Sequence, residues 1–272
     1  MSLRARAVPA LGVVLLAAAC SSPPAAGDEV RLPPPHAAWD YQIGGGYDPP
    51  AGVEVVSRDH GDDPAPGRYN ICYVNAFQAQ PGAEDEWDGL LLRDAGGEVV
   101  YDEDWGEAIL DTGTAAKRDE IAATVNGWID ECADKGFHAV EPDNYDSFTR
   151  APDGLLSAGD NEALIRLLSG HAHARGLAIA QKNTAELAGA RTANGLDFAV
   201  VEECGRHGGE CGEYTAAFGD HVVVVEYTRE GLDRACAGWG EELSIVLRDV
   251  DVSTPDDDAY VHATCATRHP AR

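Results

Sequence analysis

The stretch Val140-Glu141-Pro142-Asp143-Asn144-Tyr145-Asp146 begins where a short apolar run, residues 137–140, ends. That run has the length and composition of a buried β-strand, and Pro142 prevents a helix from continuing through the acidic residues that follow. The sequence therefore predicts three carboxylates at the carboxyl end of a strand. The simpler interpretation is a charged surface turn, because Asp and Asn are common turn residues.

Repetition of this pattern favours a barrel over an isolated turn. Several later apolar runs also end in polar residues: 177–181 in Lys182-Asn183, 198–201 in Glu202-Glu203, 222–225 in Glu226-Tyr227, and 244–247 in Arg248-Asp249. Parallel strands that all end in polar residues are typical of a (β/α)8 barrel, whose active site lies at the carboxyl ends of the strands. We therefore predict the α/β class and a single-domain (β/α)8 TIM barrel.

Further strands are predicted in the first half of the chain, at residues 39–43, 53–59 and 69–75. A brief strand at residues 108–110 would deliver Asp111 to the common face. With a further short candidate at residues 98–101, these assignments give more strands than the eight that a barrel needs. One candidate therefore lies outside the closed sheet, with residues 98–101 as the first choice and an early or final strand as the alternative.

Two amphipathic helices are predicted between the strands. The first, residues 117–135, carries apolar side chains on one stripe and is ended by Gly136. The second, residues 161–175, has Asp160 as its expected N-cap. Alternation of such helices with short buried strands indicates a parallel sheet.

The N-terminus has the pattern of an export signal. Arg4 and Arg6 precede an apolar run, residues 11–19, that is too short to span a bilayer. The run ends in small residues directly before Cys20, which resembles a bacterial lipoprotein processing site. We predict a signal peptide at residues 1–19, lipidation of Cys20, a flexible tether at residues 20–36 and the barrel at residues 37–272. Ordinary cleavage near Cys20 is the alternative, so the protein is expected to be exported as a cell-surface lipoprotein or secreted.

The cysteine count agrees with export. If Cys20 is the lipid anchor, six of the seven cysteines remain. Six is an even number, which suits disulfides in an oxidising compartment. The sequence alone does not determine which pairs form, and our working assignment is Cys72 with Cys132, Cys204 with Cys211, and Cys236 with Cys265. A zinc site is the alternative, but no CxxC pair or His-x-x-x-His partner accompanies these cysteines.

The net charge of −27 constrains the partners. Removal of the signal peptide with Arg4 and Arg6 would make it −29. Such a field repels nucleic acid and anionic lipid and attracts a cationic ligand. We therefore expect no nucleic-acid partner, contact with a membrane only through the lipid anchor, and a monomer. Solubility alone is the other explanation of the acidity.

Several segments together resemble a known family. They occur in the order Trp39-Asp40-Tyr41-Gln42, Ile71-Cys72-Tyr73, Trp105-Gly106-Glu107, Leu110-Asp111, Gly136-Phe137, Glu141-Pro142-Asp143-Asn144-Tyr145-Asp146, Ala172-His173, Arg175-Gly176-Leu177, Lys182-Asn183, Glu202-Glu203-Cys204 with Cys211, and Glu226-Tyr227. Over residues 39–249 the chain resembles glycoside hydrolase family 114, the endo-α-1,4-polygalactosaminidase family. The resemblance implies a (β/α)8 barrel without a cofactor that cleaves α-1,4-linked galactosamine polymers, with Asp143 and Glu202 as its essential carboxylates.

The chain departs from the family pattern in places. Residues 75–80 differ from the usual segment, Ile109 replaces a common aromatic residue, and Glu203 replaces a usual Gln. These differences bear on sugar specificity more than on the fold. Deacetylated galactosamine is a cation at neutral pH, so it is a ligand that the acidic chain would attract.

Glycoside hydrolysis requires two carboxyl groups with different tasks. One protonates the departing oxygen, and the other acts as nucleophile or as the base that activates water. We assign Asp143 as nucleophile or base and Glu202 as general acid. The residues expected to line the cleft and bind sugar are Asp40, Gln42, Tyr73, Asp111, Asn144, Asp146, Lys182, Asn183, Glu226 and Tyr227.

Each of these assignments has a structural alternative. Tyr73 and Tyr227 are also explained as half-buried packing at the rim, and Asp111 as a helix cap. Lys182 is the hardest to explain in that way, because burying a lysine is unfavourable unless it pairs with acids such as Asp143 or Glu141.

Two other functions fit parts of the sequence. One is a non-catalytic, lectin-like barrel that binds polysaccharide at the cell surface. The other is a hydrolase or deacetylase that uses a divalent metal held by the same carboxylates. No metal ligand is assigned.

Overall fold

The computed structural model describes residues 30–152 and 154–267. The predicted signal peptide, Cys20 and the first part of the predicted tether lie outside the described residues. Within the described ranges, no helix is long and apolar enough to span a membrane.

Twelve strands follow one another along the described chain. They are β1 (Trp39–Gln42), β2 (Val55–Asp59), β3 (Tyr69–Asn75), β4 (Gln78–Ala79), β5 (Tyr101–Asp102), β6 (Glu107–Ile109), β7 (Ala139–Asp143), β8 (Ala178–Lys182), β9 (Phe198–Glu202), β10 (Val222–Glu226), β11 (Ser244–Arg248) and β12 (His262–Thr264).

The main sheet has the order β1-β2-β3-β7-β8-β9-β10-β11-β12. All neighbours pair in parallel except β12, which is antiparallel to β11. Arg248 on β11 reaches Asp40 on β1, with 3.4 Å between Nη1 and Oδ1, so the two ends of the parallel sheet lie side by side. Eight parallel strands thus form a nearly closed barrel, as the sequence predicts.

Helices connect the later strands. They are α1 (Ala115–Lys135), α2 (Ala158–Ala174), α3 (Arg191–Asn194), α4 (Glu210–Phe218) and α5 (Arg229–Trp239), with short 3-10 turns at Glu84–Trp87, Ser147–Thr149 and Ala185–Ala190. The connections at residues 43–54 and 60–68, which are described throughout, contain no helix. The helical layer therefore covers the barrel from β3 to β11.

Side chains alternate between the barrel interior and the helical layer. Trp39, Tyr41 and Phe198 belong to the cluster that fills the interior, whereas Val140 and Val201 belong to the cluster between the sheet and the helices. Successive residues of a strand point to opposite faces, so the position of a polar residue in its strand determines whether it can reach the mouth of the barrel.

The predicted helices start earlier than the sequence indicates. Thr114 caps α1 by accepting a hydrogen bond from the Lys117 amide, and Gly136, at φ 93°, ends it as predicted. Asp160 is not the N-cap of α2, so that prediction is wrong. Ser157 is the N-cap, and the Asp160 carboxylate accepts its backbone N–H at 2.9 Å, which completes a capping box.

The predicted strand at residues 108–110 is not part of the barrel. The long connection from β3 to α1 folds into a separate antiparallel sheet of three strands in the order β4-β6-β5, which we call the insertion sheet. β6 pairs with β4 on one side and with β5 on the other, so it has no free edge for pairing with a barrel strand. The strand expected outside the barrel, residues 98–101, overlaps β5 of the same sheet.

Three disulfides join Cys72 to Cys132, Cys204 to Cys211, and Cys236 to Cys265. These are the pairs of the working assignment, and they leave no thiolate for a zinc site among the described cysteines. Such a set is typical of an exported protein.

Residues 30–36, assigned from the sequence to the tether, lie against the barrel. The Tyr69 hydroxyl donates to the Arg31 carbonyl at 2.6 Å, and Val30 and Leu32 pack against the interior cluster. These contacts bring residues 30–32 against the barrel, because their apolar side chains cover part of its interior cluster.

Candidate active site

A cavity of about 300 Å³ opens at the carboxyl ends of the barrel strands. The predicted site residues that line it are Tyr73, Asp143, Asn144, Asn183, Glu202 and Tyr227. A larger groove of about 590 Å³, lined by Arg31, Arg68 and His138 among others, contains none of the predicted site residues. The chemistry predicted from the sequence is therefore concentrated in the smaller cavity.

Lys182 lies directly beneath this cavity and is 2% exposed. Its Nζ is 3.0 Å from Glu141 Oε1, 3.2 Å from Asp143 Oδ1 and 3.8 Å from Glu202 Oε2. It also donates to the Tyr41 hydroxyl at 3.0 Å. Burial alone would lower the pKa of Lys182, but the three carboxylates outweigh burial and raise it. A permanent ammonium thus sits between the two predicted catalytic carboxylates.

Asp143 and Glu202 converge on one mouth. Both contact the same ammonium nitrogen, so the sum of the two distances, 7.0 Å, is the largest possible separation of Asp143 Oδ1 and Glu202 Oε2. Burial favours the neutral form of Asp143, but Lys182 and hydrogen bonds from the Asn144 amide and the Tyr73 hydroxyl outweigh burial and lower its pKa. Asp143 is therefore an anion over the neutral pH range.

Glu202 is held by two side chains of neighbouring strands. Asn183 Nδ2 donates to Oε2 at 2.8 Å, and the Tyr227 hydroxyl donates to Oε1. Asn183 Oδ1 in turn accepts the backbone N–H of Glu202 at 2.9 Å. These contacts position the carboxyl group without closing it off from the cavity.

The chain turns sharply after three of the strands that carry site residues. Asn144, Asn183 and Glu203 directly follow β7, β8 and β9, and all three have left-handed backbone conformations, with φ of 65°, 47° and 56°. This conformation is uncommon for residues other than glycine, although Asn tolerates it best. Strained backbone of this kind concentrates at functional sites, where the surrounding structure holds it in place.

Glu141 lies below Asp143 and Glu202 and is fully buried. Its Oε1 accepts the Tyr41 hydroxyl at 2.7 Å as well as Lys182. Burial and the nearby Asp143 charge raise the pKa of Glu141 to about 7, against the opposing effect of Lys182. The buried ion pair of Lys182 and Glu141 thus holds the lysine in contact with Asp143 from inside the barrel.

Asp40 and Gln42 do not line the cavity, contrary to the prediction. They alternate along β1 with Trp39 and Tyr41, which fill the interior, so they lie on the outer side of the sheet. Asp40 there accepts hydrogen bonds from Gln42 at 2.8 Å and pairs with Arg248 at 3.4 Å. Both residues join β1 to its neighbours at the seam of the barrel.

Asp111 and Asp146 also stay outside the cavity lining. Asp111 follows the insertion sheet and pairs with Lys117 at 2.6 Å. Asp146 accepts two hydrogen bonds from Arg150, at 2.8 and 3.1 Å, in a bidentate ion pair. Arg150 itself lines the cavity. Asp146 therefore acts on the site through Arg150.

Glu226 is buried on the outer side of β10, because Val223 and Val225 take the inward positions. Its Oε1 accepts the Gly205 amide at 2.7 Å, and its Oε2 has no hydrogen-bond partner. Burial, aided by the Glu203 charge, raises the pKa of Glu226 from 4.5 to about 7. Glu226 belongs to the packing under α5 and not to the cleft.

Glu226→Gln is expected to change how stability depends on pH. The folded protein holds a proton that the unfolded chain has already released between pH 4.5 and 7, so the free energy of unfolding falls as pH rises, by at most about 1.4 kcal/mol per pH unit. The variant should lose this part of the decline and exceed the wild type above pH 7. Urea unfolding across pH 4 to 8 measures it, with the exposed Glu230→Gln as control; parallel wild-type and E226Q curves would contradict the prediction.

The sequence prediction missed several residues of the cavity. The insertion sheet and its turns bring in Gln80, Trp105 and Glu107, and Arg150, Asp59 and Asp251 complete the polar lining. Trp105-Gly106-Glu107 is one of the segments that resemble the family, so a signal for two of these residues was present. Asp59 ends the predicted strand at residues 53–59, so the strand-end pattern pointed to it as well, whereas Gln80, Arg150 and Asp251 have no comparable pattern in the sequence.

Comparisons with known proteins identify the family and support the fold of the chain. The glycoside-hydrolase family GH114 model matches residues 20–268. The crystal structure of Aspergillus fumigatus Ega3 in complex with galactosamine is 23% identical, with a TM-score of 0.68 over 83% of this chain and 96% of that one. The glycoside hydrolase domain of PelA from Pseudomonas aeruginosa is 15% identical, with a TM-score of 0.56 over 84% of this chain and 98% of that one.

No curated protein sequence matched the chain. The two structural similarities support the barrel fold, and the family model matches nearly the whole chain. The chain therefore belongs to glycoside-hydrolase family GH114 and is a glycosidase.

Proposed function

We propose that this glycosidase cleaves an α-1,4-linked, galactosamine-containing polysaccharide, with Asp143 and Glu202 as its catalytic carboxyl groups. The observation that carries the proposal is the convergence of these two groups on one buried ammonium, Lys182, at the mouth of the barrel. The galactosamine bound to Ega3 and the family match support the choice of sugar.

The geometry suits a two-carboxylate mechanism. Asp143, anionic and held by Lys182, attacks the anomeric carbon or removes a proton from the attacking water. Glu202, positioned by Asn183 and Tyr227, gives its proton to the departing glycosidic oxygen. Whether the first product keeps or inverts the anomeric configuration distinguishes attack by Asp143 from attack by water, and NMR of fresh product reports it.

The charge of the cavity favours a cationic sugar. Five carboxylates line it, those of Asp59, Glu107, Asp143, Glu202 and Asp251, and Arg150 is the one lining cation among the described residues. The net charge of −27 adds a long-range attraction for a polycation. A polymer of deacetylated galactosamine meets both conditions.

The decisive experiment is incubation of the exported chain with α-1,4-galactosamine oligomers, acetylated and deacetylated, followed by mass spectrometry of the products. Shortened oligomers are expected. Oligomers that bind but keep their length would favour the lectin-like alternative, and activity lost in excess chelator would favour the metal-dependent one. Among the described residues no cluster of His, Cys, Asp and Glu side chains has the arrangement of a metal site.

We further propose that the protein is exported and anchored through lipidated Cys20, which keeps the barrel at the cell surface near its substrate. Mass spectrometry of the N-terminal peptide of the native protein tests this. A diacylglyceryl mass on Cys20 is expected, and an unmodified N-terminus would indicate a secreted form.

Trp105→Ala is expected to weaken binding of oligomers more than catalysis. Trp105 lies at the cavity rim and is 55% exposed, which is unusual for a large aromatic side chain and suits stacking on a sugar ring. A stacking contact of about 1 kcal/mol corresponds to about a fivefold rise in KM with kcat little changed. Steady-state kinetics measure this, with Tyr101→Ala, also exposed on the insertion sheet, as control; equal KM values for the two variants would contradict it.

A further inference from the structure

Glu107 is a third carboxyl group of the cavity that the proposed reaction does not use. It stands on β6 of the insertion sheet, and its Oε2 accepts Asn75 Nδ2 at 3.0 Å and Asn144 Nδ2 at 3.2 Å. The backbone N–H of the same Asn144 donates to Asp143 Oδ1 at 2.7 Å. Asn144 therefore links Glu107 to Asp143 through two hydrogen bonds.

Glu107 has no ion-pair partner among the described residues. Across residues 30–152 and 154–267, no Lys, Arg or His forms an ion pair with it. The nearest candidate, Arg150, pairs instead with Asp102 at 3.0 Å and Asp146 at 2.8 Å. A partly buried carboxylate that accepts amide hydrogen bonds but faces no positive charge keeps an uncompensated desolvation cost. A cationic ligand bound beside it would offset that cost.

The position of the amino group on the sugar ring determines where its binding partner must lie. The amino group of galactosamine is on carbon 2, one bond from the anomeric carbon that Asp143 must approach. A carboxylate that binds this group must therefore be a close neighbour of Asp143. Glu107 meets this condition through Asn144, whose backbone N–H donates to Asp143 and whose side chain donates to Glu107.

We propose that Glu107 is a specificity-determining residue that binds the ammonium group of the galactosamine unit whose glycosidic bond is broken. The inference rests on the proposed function. An N-acetylated unit in the same position has a neutral amide that cannot form an ion pair with Glu107. Its methyl group would also lie next to the Glu107 carboxylate, which is unfavourable. The insertion sheet thereby selects the deacetylated sugar, while the barrel strands carry the reaction.

Glu107→Gln tests this assignment, because it keeps the size and the acceptor oxygen but removes the charge. The kcat/KM for deacetylated oligomers is expected to fall about 10- to 100-fold, the loss typical of a charge-assisted hydrogen bond. The kcat/KM for N-acetylated oligomers should be unchanged or higher, so the preference between the two substrates collapses. The control is Glu103→Gln, an exposed residue on the turn after β5 that changes the net charge equally.

Binding of the monosaccharides gives a readout that does not depend on hydrolysis. In NMR titrations, E107Q should lose affinity for galactosamine and keep the wild-type affinity for galactose. If E107Q unfolds at the assay temperature, Glu107→Asp, which keeps the charge but withdraws it by one methylene, should show a smaller loss of the same preference. An unchanged preference in a folded variant would overturn the inference, whereas a wild type that cleaves no galactosamine polymer would overturn the proposed function itself.

Discussion

Asp143→Asn is expected to lower kcat at least about 10⁴-fold while the protein stays folded. Asn has the same shape but cannot attack the anomeric carbon or accept a proton from water. The Asn144 amide and the Tyr73 hydroxyl can still donate to its side-chain oxygen, so the local structure should persist. Hydrolysis of deacetylated galactosamine oligomers, followed by reducing-end release, measures the loss.

The matched control is Asp134→Asn, the same substitution in an exposed residue that pairs with Arg175 on the outside of the barrel. It should keep wild-type kcat. Binding of oligomers to D143N should survive, because the rim and the other carboxylates remain. Substantial hydrolysis by D143N would remove Asp143 from the mechanism, and a wild type without hydrolysis to lose would leave the lectin-like alternative.

The meeting of the two proposed catalytic carboxyl groups at one face of the barrel could be predicted, because it depends on local sequence pattern. Asp143, Lys182 and Glu202 each close a short apolar run, and each shares the parity of small or apolar residues that fill the interior. Parallel strands bring their carboxyl ends to one face, so these three side chains had to meet there. No contact over a long distance had to be guessed.

The wrong assignments come from treating every polar strand end alike. Gln42 and Glu226 also stand at strand ends, but they have the opposite parity to Tyr41 and Val225, which face inward. A period of two, applied strictly, would have placed both outside the cleft. Their burial on the outer side was predictable from the same rule that located Asp143.

The insertion sheet could not be predicted in the same way. Its strands are two or three residues long, and they are stabilised by pairing with one another and not by an amphipathic pattern. The contact between Glu107 and Asn144 links residues 37 apart in sequence, so it depends on how the whole connection folds. A role of Glu107 in substrate specificity can therefore be inferred from the structure but not from the sequence.

Lys182→Met is expected to be the most destabilising single substitution of the site, by about 3 to 5 kcal/mol. It leaves Glu141 and Asp143 buried without their counter-charge, and Glu141 is fully buried. The matched control is Lys117→Met, which breaks the partly exposed pair with Asp111 and should cost no more than about 1 kcal/mol. Urea unfolding of both variants at pH 7 gives the comparison, and equal losses would mean that the buried pair has no special role.

The same substitution should shift the acid limb of the activity profile to higher pH. Lys182 is the main group that holds the pKa of Asp143 down against burial, so without it burial dominates and the pKa of Asp143 rises. A nucleophile must be ionised, so the pH at which kcat/KM reaches half its maximum on the acid side moves upward. A fold defect alone lowers the amplitude of the profile without moving this limb. The direction of the shift therefore distinguishes a lysine that tunes its neighbour from one that only fills the barrel.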